Sequence, residues 1–264
     1  CVGTCTWCAG SYGSMRETTG RKKTAWRSAE RVAETFEAAR NAGAKRIYTC
    51  FDPHPRKEQE ILTLLEVLGS LKDKIALDFE CFGLPSPRVV DAFHAHLDPS
   101  STLIVSPECA NEEVRRQHRA FPFSNAELEN TLDHMTRLGM HTDLYFVLGL
   151  PGEDVDGIRA TKAMQDDLRA RHPLIRTMFN WPLEMEPGAP WHREPDRFGL
   201  TLRHRDLTDF HRAHGVFALH VAEVQTKNLS ASNNQNVHQG CVDVKSPRIC
   251  DGCHHGSSLI HCHW

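Results

Sequence analysis

The sequence lacks any apolar run near the roughly 18 residues that a membrane-crossing helix needs. Its longest candidate, residues 144–150, has the length of an interior strand. Charge of one sign is also lacking: 31 Lys and Arg stand against 34 Asp and Glu, a formal net charge of −3. Such a balance creates no field that would gather a polyanion, so neither a nucleic-acid partner nor a membrane is expected. No initiating Met and no leader stand before Cys1, and we read the chain as part of a longer one. The short, cysteine-dense format of a secreted disulfide scaffold is absent too. The 10 Cys are distributed over 264 residues, and the thiols crowded at the start favour metal ligation in a reducing compartment, the cytoplasm.

What is present, 40% hydrophobic and 25% charged residues, is enough for a sizeable core, and the length suits one large α/β unit. Helical spacing at 28–42, with Ser28 as cap and Gly43 as stop, is followed by a β-rich run at 45–51. The alternation continues as helix 58–71, strand 75–79, helix 87–97 and strand 102–105. It then gives helix 125–138, strand 142–148, helix 156–171, strand 174–180 and a last helix at 206–218. Strand after helix at least five times predicts a parallel sheet with crossover helices, strongly curved or closed as a barrel. In such sheets chemistry gathers where the strands end. Five segments are therefore expected on one rim: Phe51-Asp52-Pro53, Glu80-Cys81-Phe82, Ser106-Pro107-Glu108, Gly149 to Glu153, and Trp181 to Gly188. From about Gln225 the composition turns to Asn, Ser, Gln, Cys and His, a tail expected outside the sheet. The chain thus divides into 1–224 and 225–264.

Three cysteines fall in the first eight residues as Cys1-x-x-x-Cys5-x-x-Cys8, with Gly3 and Thr4 giving the loop room to curl. Three thiolates so close can wrap one small inorganic core. An iron–sulfur cube takes four ligands, so three leave one iron open to an exogenous ligand. A zinc site completed by His and three unrelated buried thiols are the competing readings.

With Trp7 directly before Cys8, the loop resembles the signature of the radical S-adenosylmethionine (radical SAM) superfamily. The Gly149 to Glu153 turn is similar to the family's fifth-strand motif, and Met185 to Pro190 to the segment after its sixth strand. The segments Cys8 to Ser11, Arg27 to Val32 and Ser106 to Ala110 resemble members that carry a cobalamin-binding domain ahead of the radical domain, a domain not contained in this sequence. The resemblance covers about residues 1–220.

It implies a partial (β/α)6 TIM-type barrel lacking its first strand, with a strand edge left open. It implies a 4Fe-4S cluster on Cys1, Cys5 and Cys8, with S-adenosylmethionine chelated to the open iron and cleaved reductively to methionine and a 5′-deoxyadenosyl radical. Trp7 would lie near the adenine, and Ser106 and Glu108 near the ribose or the methionine moiety. Gly149 and Gly152 would let backbone approach the adenine, and Glu184 and Glu186 would reach toward the substrate. Where many members have Gly-Gly-Glu this chain has Phe51-Asp52-Pro53, which makes Asp52 the expected acceptor for the methionine amino group. Read without the resemblance, Ser106 and Asp52 cap helices, Glu108 is a solvated turn residue, Gly149 to Gly152 is a turn, and Glu184 and Glu186 are structural.

The expectation is an enzyme acting on a small-molecule or natural-product substrate and reduced by a protein such as flavodoxin or ferredoxin. Cobalamin stands among its candidate cofactors, and C-methylation is the first reaction to test. The alternative is a non-catalytic iron–sulfur or zinc protein. In the tail, Cys250-Asp-Gly-Cys253 with Cys241, Cys262 and neighbouring His offers a zinc site or a second cluster, against an unstructured terminus.

Overall fold

The structure, a computed structural model, describes residues 1–51, 57–182, 185–206, 208–209, 224–226 and 260–262. Helices begin where a side chain accepts an otherwise unmet backbone N–H. Ser11 does so for α1 (Tyr12–Thr19) and Ser28 for α2 (Ala29–Asn41). Strand β1 (Arg46–Phe51) leads through α3 (Glu58–Gly69) to β2 (Ala76–Cys81), and α4 (Pro87–His96), capped by Ser86, leads to β3 (Thr102–Glu108). Two helices separate β3 from β4 (His141–Leu148): α5 (Glu112–His118), capped by Asn111, and α6 (Asn125–Arg137), opened by a reciprocal Ser124–Glu127 capping box. Then come α7 (Val155–Arg171), β5 (Ile175–Pro182), α8 (Pro190–Arg193) and a 3-10 turn at Pro195–Phe198. Strands β6 (Leu200–Leu202) and β7 (Val224–Thr226) form an antiparallel pair.

Strands β1 to β5 are parallel and lie side by side in chain order. A parallel sheet wound in one direction places its crossover helices on one side and leaves the other face concave. Side chains alternate accordingly. Leu77, Phe79, Leu103, Val105, Leu144 and Phe146 are buried in the main core, which they share with Leu65 of α3 and Leu128 and Leu132 of α6. The alternate residues Asp78, Glu80, Ser106, Asp143 and Tyr145 line a cavity on the opposite face. A second, smaller core gathers Val114, Leu150, Met185, Trp191 and Leu200, with Trp7 packed on it.

Two expectations need correction. Strand β3 runs on through Ser106 and Pro107 to Glu108, with a register shift against β4 between Val105 and Glu108. A bulge leaves a residue outside the ladder, so a proline without an N–H is tolerated where a regular strand would end. The tail, expected outside the sheet, contributes β8 (Ile260–Cys262), which pairs in parallel with β1 as Ile47↔Ile260, Tyr48↔His261 and Thr49↔Cys262. The edge of β1 expected to stay open is thus covered, because an edge row of N–H and C=O groups accepts any extended segment that reaches it. Strand β7 runs across the division expected at 224/225.

Asp52, Glu184, most of the helix expected at 206–218, Cys241, Cys250 and Cys253 lie outside the described residues, as do the side chains of Cys50 and Cys262. Among the described residues, no helix is long and apolar enough to cross a membrane.

Candidate functional site

The concave face encloses a cavity of about 1220 Å³. Cys1, Cys5, Trp7 and Cys8 border it from the N-terminal loop, and Ser106 and Glu108 border it from the end of β3. Gly149 and Gly152 do not: their turn stands outside the lining, and both residues have φ of 90°, a conformation that favours glycine. The turn is held by Glu153, whose carboxylate accepts from Gly149 N at 3.1 Å and whose carboxyl burial pushes up in pKa.

The cysteine loop has little regular structure of its own and is held from outside. Thr6 N donates to the His118 carbonyl at 3.1 Å, and Trp191 N donates to the Thr6 carbonyl at 3.1 Å. Ala9 N donates to Glu186 Oε2 at 2.7 Å, so Glu186 borders the cavity while fastening the loop. Trp7 packs against Trp191, which is fully buried, with ring centroids 5.9 Å apart. Backbone N–H groups face the sulfurs: Gly3 N donates to Cys1 Sγ at 3.1 Å and Ala120 N to Cys5 Sγ at 3.4 Å. A Cβ added at Gly3 would meet Cys1 Sγ and Ala120 Cβ, each at 3.1 Å, so the curl there needs glycine. Burial first, then Glu186, pushes the Cys8 thiol up to about 11. Among the described residues, no three His, Cys, Asp or Glu side chains converge as ligands of a single metal ion.

Helix α5 and the residue after it supply three groups that composition and periodicity did not single out. His118 is buried, and its Nε2 lies 2.8 Å from the Pro151 carbonyl, which can only accept. Nε2 therefore carries the proton, and Nδ1 accepts from Thr6 Oγ1 at 3.1 Å. Burial lowers the imidazole pKa, which favours this neutral form. One side chain thus joins the cysteine loop to the glycine turn. Arg115 is fully buried and donates to the carbonyls of Pro107, Cys109 and Phe123 and to Asn125 Oδ1. Two of these carbonyls flank Glu108, which sits at φ 65°, a left-handed conformation that costs a glutamate energy unless its surroundings hold it. Arg119 pairs with the Glu108 carboxylate and donates to the Phe82 carbonyl. Glu108 is therefore buried and charge-matched, not a solvated turn residue, and the cap of α5 is Asn111, not Ser106.

Deeper in the cavity Asp78 pairs with Arg46 at 2.5 Å and Asp143 with Arg176 at 2.8 Å, while Tyr48 donates to Glu80. The signal for α5 was present as Arg115, Arg116, His118 and Arg119 crowded just after a strand end, but such a run reads equally well as a solvated face.

The Radical SAM superfamily matches residues 1–164 of the chain. Comparison with curated proteins returned no match. Among solved structures the chain is similar to methylornithine synthase (PylB), at 15% identity and TM-score 0.51 over 72% of this chain and 52% of that one. It is also similar to the cobalamin-dependent S-adenosylmethionine radical enzyme OxsB with aqua-cobalamin and S-adenosylmethionine bound, at 13% identity and TM-score 0.55 over 90% of this chain and 39% of that one. A third likeness is to spore photoproduct lyase complexed with dinucleoside spore photoproduct, at 13% identity and TM-score 0.51 over 99% and 74%. The chain spans about half the length of PylB and 39% of OxsB.

Proposed function

The chain belongs to the radical SAM superfamily, and on that premise we propose that Cys1, Cys5 and Cys8 bind a 4Fe-4S cluster beside a substrate cavity, where S-adenosylmethionine is cleaved to start radical chemistry on a small molecule. The observation that carries this reading is that three cysteine side chains on one externally held loop border the 1220 Å³ cavity together. A cube is gripped at three separate corners, so its ligands need not converge on one point as they would for a single ion. N–H groups aimed at sulfur from Gly3 and Ala120 suit bound thiolates, whose charge they stabilise. When bound, the cluster and S-adenosylmethionine together supply an electron and a 5′-deoxyadenosyl radical that abstracts hydrogen from substrate.

The chain's own residues bind, orient and exclude water. Trp7 offers a ring beside the third cysteine, and Ser106 a hydroxyl for the ribose or the methionine moiety. Glu108 offers a carboxylate there, held by Arg119. Asp52 takes the methionine amino group. Gly149 and Gly152 serve through their turn, whose Pro151 carbonyl fixes His118. A flavodoxin- or ferredoxin-type donor in the cytoplasm supplies the electron. Cobalamin-dependent C-methylation is the first reaction to test, supported by the likeness to OxsB and by the segments at 8–11, 27–32 and 106–110.

Anaerobic reconstitution with iron and sulfide, followed by S-adenosylmethionine and reductant, is expected to release 5′-deoxyadenosine. Ala at Cys1, Cys5 or Cys8 should abolish both cluster and release, and Cys50→Ala should largely keep them. A colourless, zinc-loaded protein that releases none would select the non-catalytic reading.

A further inference from the structure

Among the described residues two large apolar side chains are exposed, Phe179 at 43% and Trp181 at 56%, and both border the cavity from β5. They occupy positions i and i+2 of one strand face, and their rings stack with centroids 6.4 Å and planes 25° apart. Phe179 also meets Tyr145, its cross-strand partner on β4, edge-on at 5.3 Å. Scattered exposed apolar residues need no explanation, but adjacent stacked rings inside a large cavity form a surface suited to a ligand.

At the foot of the wall Asp78 and Asp143 are paired with Arg46 and Arg176, and Glu80 accepts from the Tyr48 hydroxyl. Tyr145 is pushed up to about 12 by burial first and then by the carboxylates of Glu80, Asp143 and Asp78, against one lowering influence, a hydrogen bond with Tyr48. A π face attracts both a stacked ring and a cation, and the Glu80 carboxylate, bonded to a neutral hydroxyl, favours positive charge and repels an anion. Resting on the reading of this cavity as a substrate site, we propose that the Phe179–Trp181 face binds an arylalkylamine, its ring against the two side chains and its protonated nitrogen toward Tyr145 and Glu80.

The test uses the full chain, reconstituted anaerobically, and calorimetric titration with 2-phenylethylamine and with phenylacetate, a matched pair of opposite charge. Each titration is run with and without saturating S-adenosylmethionine. The amine should bind about ten-fold more tightly than the acid, and Trp181→Ala, at an exposed position that leaves the core intact, should weaken it about ten-fold. Glu80→Gln should bring the two probes toward parity, and the amine should still bind with S-adenosylmethionine present. Equal affinities, an unchanged Trp181→Ala, or displacement of the amine by S-adenosylmethionine would each overturn the assignment. Release of 5′-deoxyadenosine, measured in parallel, separates the two claims. Release without amine preference removes only the substrate class, and amine preference without release removes the radical reading and leaves a binding wall.

Discussion

Replacing His118 by Ala breaks the side-chain link between the cysteine loop and the glycine turn. Two buried hydrogen bonds are lost, at 3.1 Å to Thr6 Oγ1 and 2.8 Å to the Pro151 carbonyl. Each is worth about 0.5–1.5 kcal/mol net, more if the abandoned carbonyl stays dry. The edge-on contact with Trp191, centroids 5.3 Å apart, is lost as well, and such pairs contribute about 0.5–1.5 kcal/mol beyond area burial. The expected destabilisation is about 2–4 kcal/mol, which for a chain of this size lowers the melting temperature by roughly 5–15 °C. Differential scanning calorimetry measures this, and iron and acid-labile sulfide after reconstitution measure the loop.

Half-variants divide the effect: His118→Gln keeps a donor for Pro151, and His118→Asn keeps an acceptor for Thr6. The pH dependence has a definite sign. Burial holds the native imidazole below its ordinary value of 6.5, so its contribution is present above that pH and declines as pH falls toward the lowered native value. The Ala variant should lose that slope. An Ala variant melting with the parent and retaining full iron would refute the link.

Arg115→Leu should cost about 3–5 kcal/mol, because three carbonyls and Asn125 Oδ1 lose their buried donor; thermal unfolding reads this, and a loss under about 1 kcal/mol would show that the carbonyls find other partners. Truncation after Thr226 keeps β7, removes β8 and bares the edge of β1, so light scattering should detect concentration-dependent association. Iron and zinc contents should match those of the full chain. A monodisperse truncated protein would show that β8 does not guard the edge, and a fall in metal would assign a site to the tail.

The alternation of strand and helix was legible because each element carries its own period: Val32, Phe36 and Ala39 on α2, and Leu128 and Leu132 on α6, face the core as spaced. Pro107 hid the end of β3, since a proline without a bulge does end a strand. Helix α5 was not legible from apolar period, because Glu112–His118 carries one apolar residue, Val114, and no period can be drawn from one point. At the site, Trp7, Ser106 and Glu108 entered through the family resemblance and not through local pattern, and each borders the cavity. What makes Glu108 more than a turn residue is Arg119, whose partner is fixed only by folding. Gly149 and Gly152 show the opposite case, a local pattern that a left-handed backbone explains without any approach to the cavity.

The small core around Trp191 is separate from the main core beneath the sheet. Local opening can therefore proceed in units, with the Trp191 core and the loop resting on it released while the sheet persists. For a loop that holds the proposed cluster, loading and loss of that cluster need disturb only the Trp191 core and leave the sheet standing.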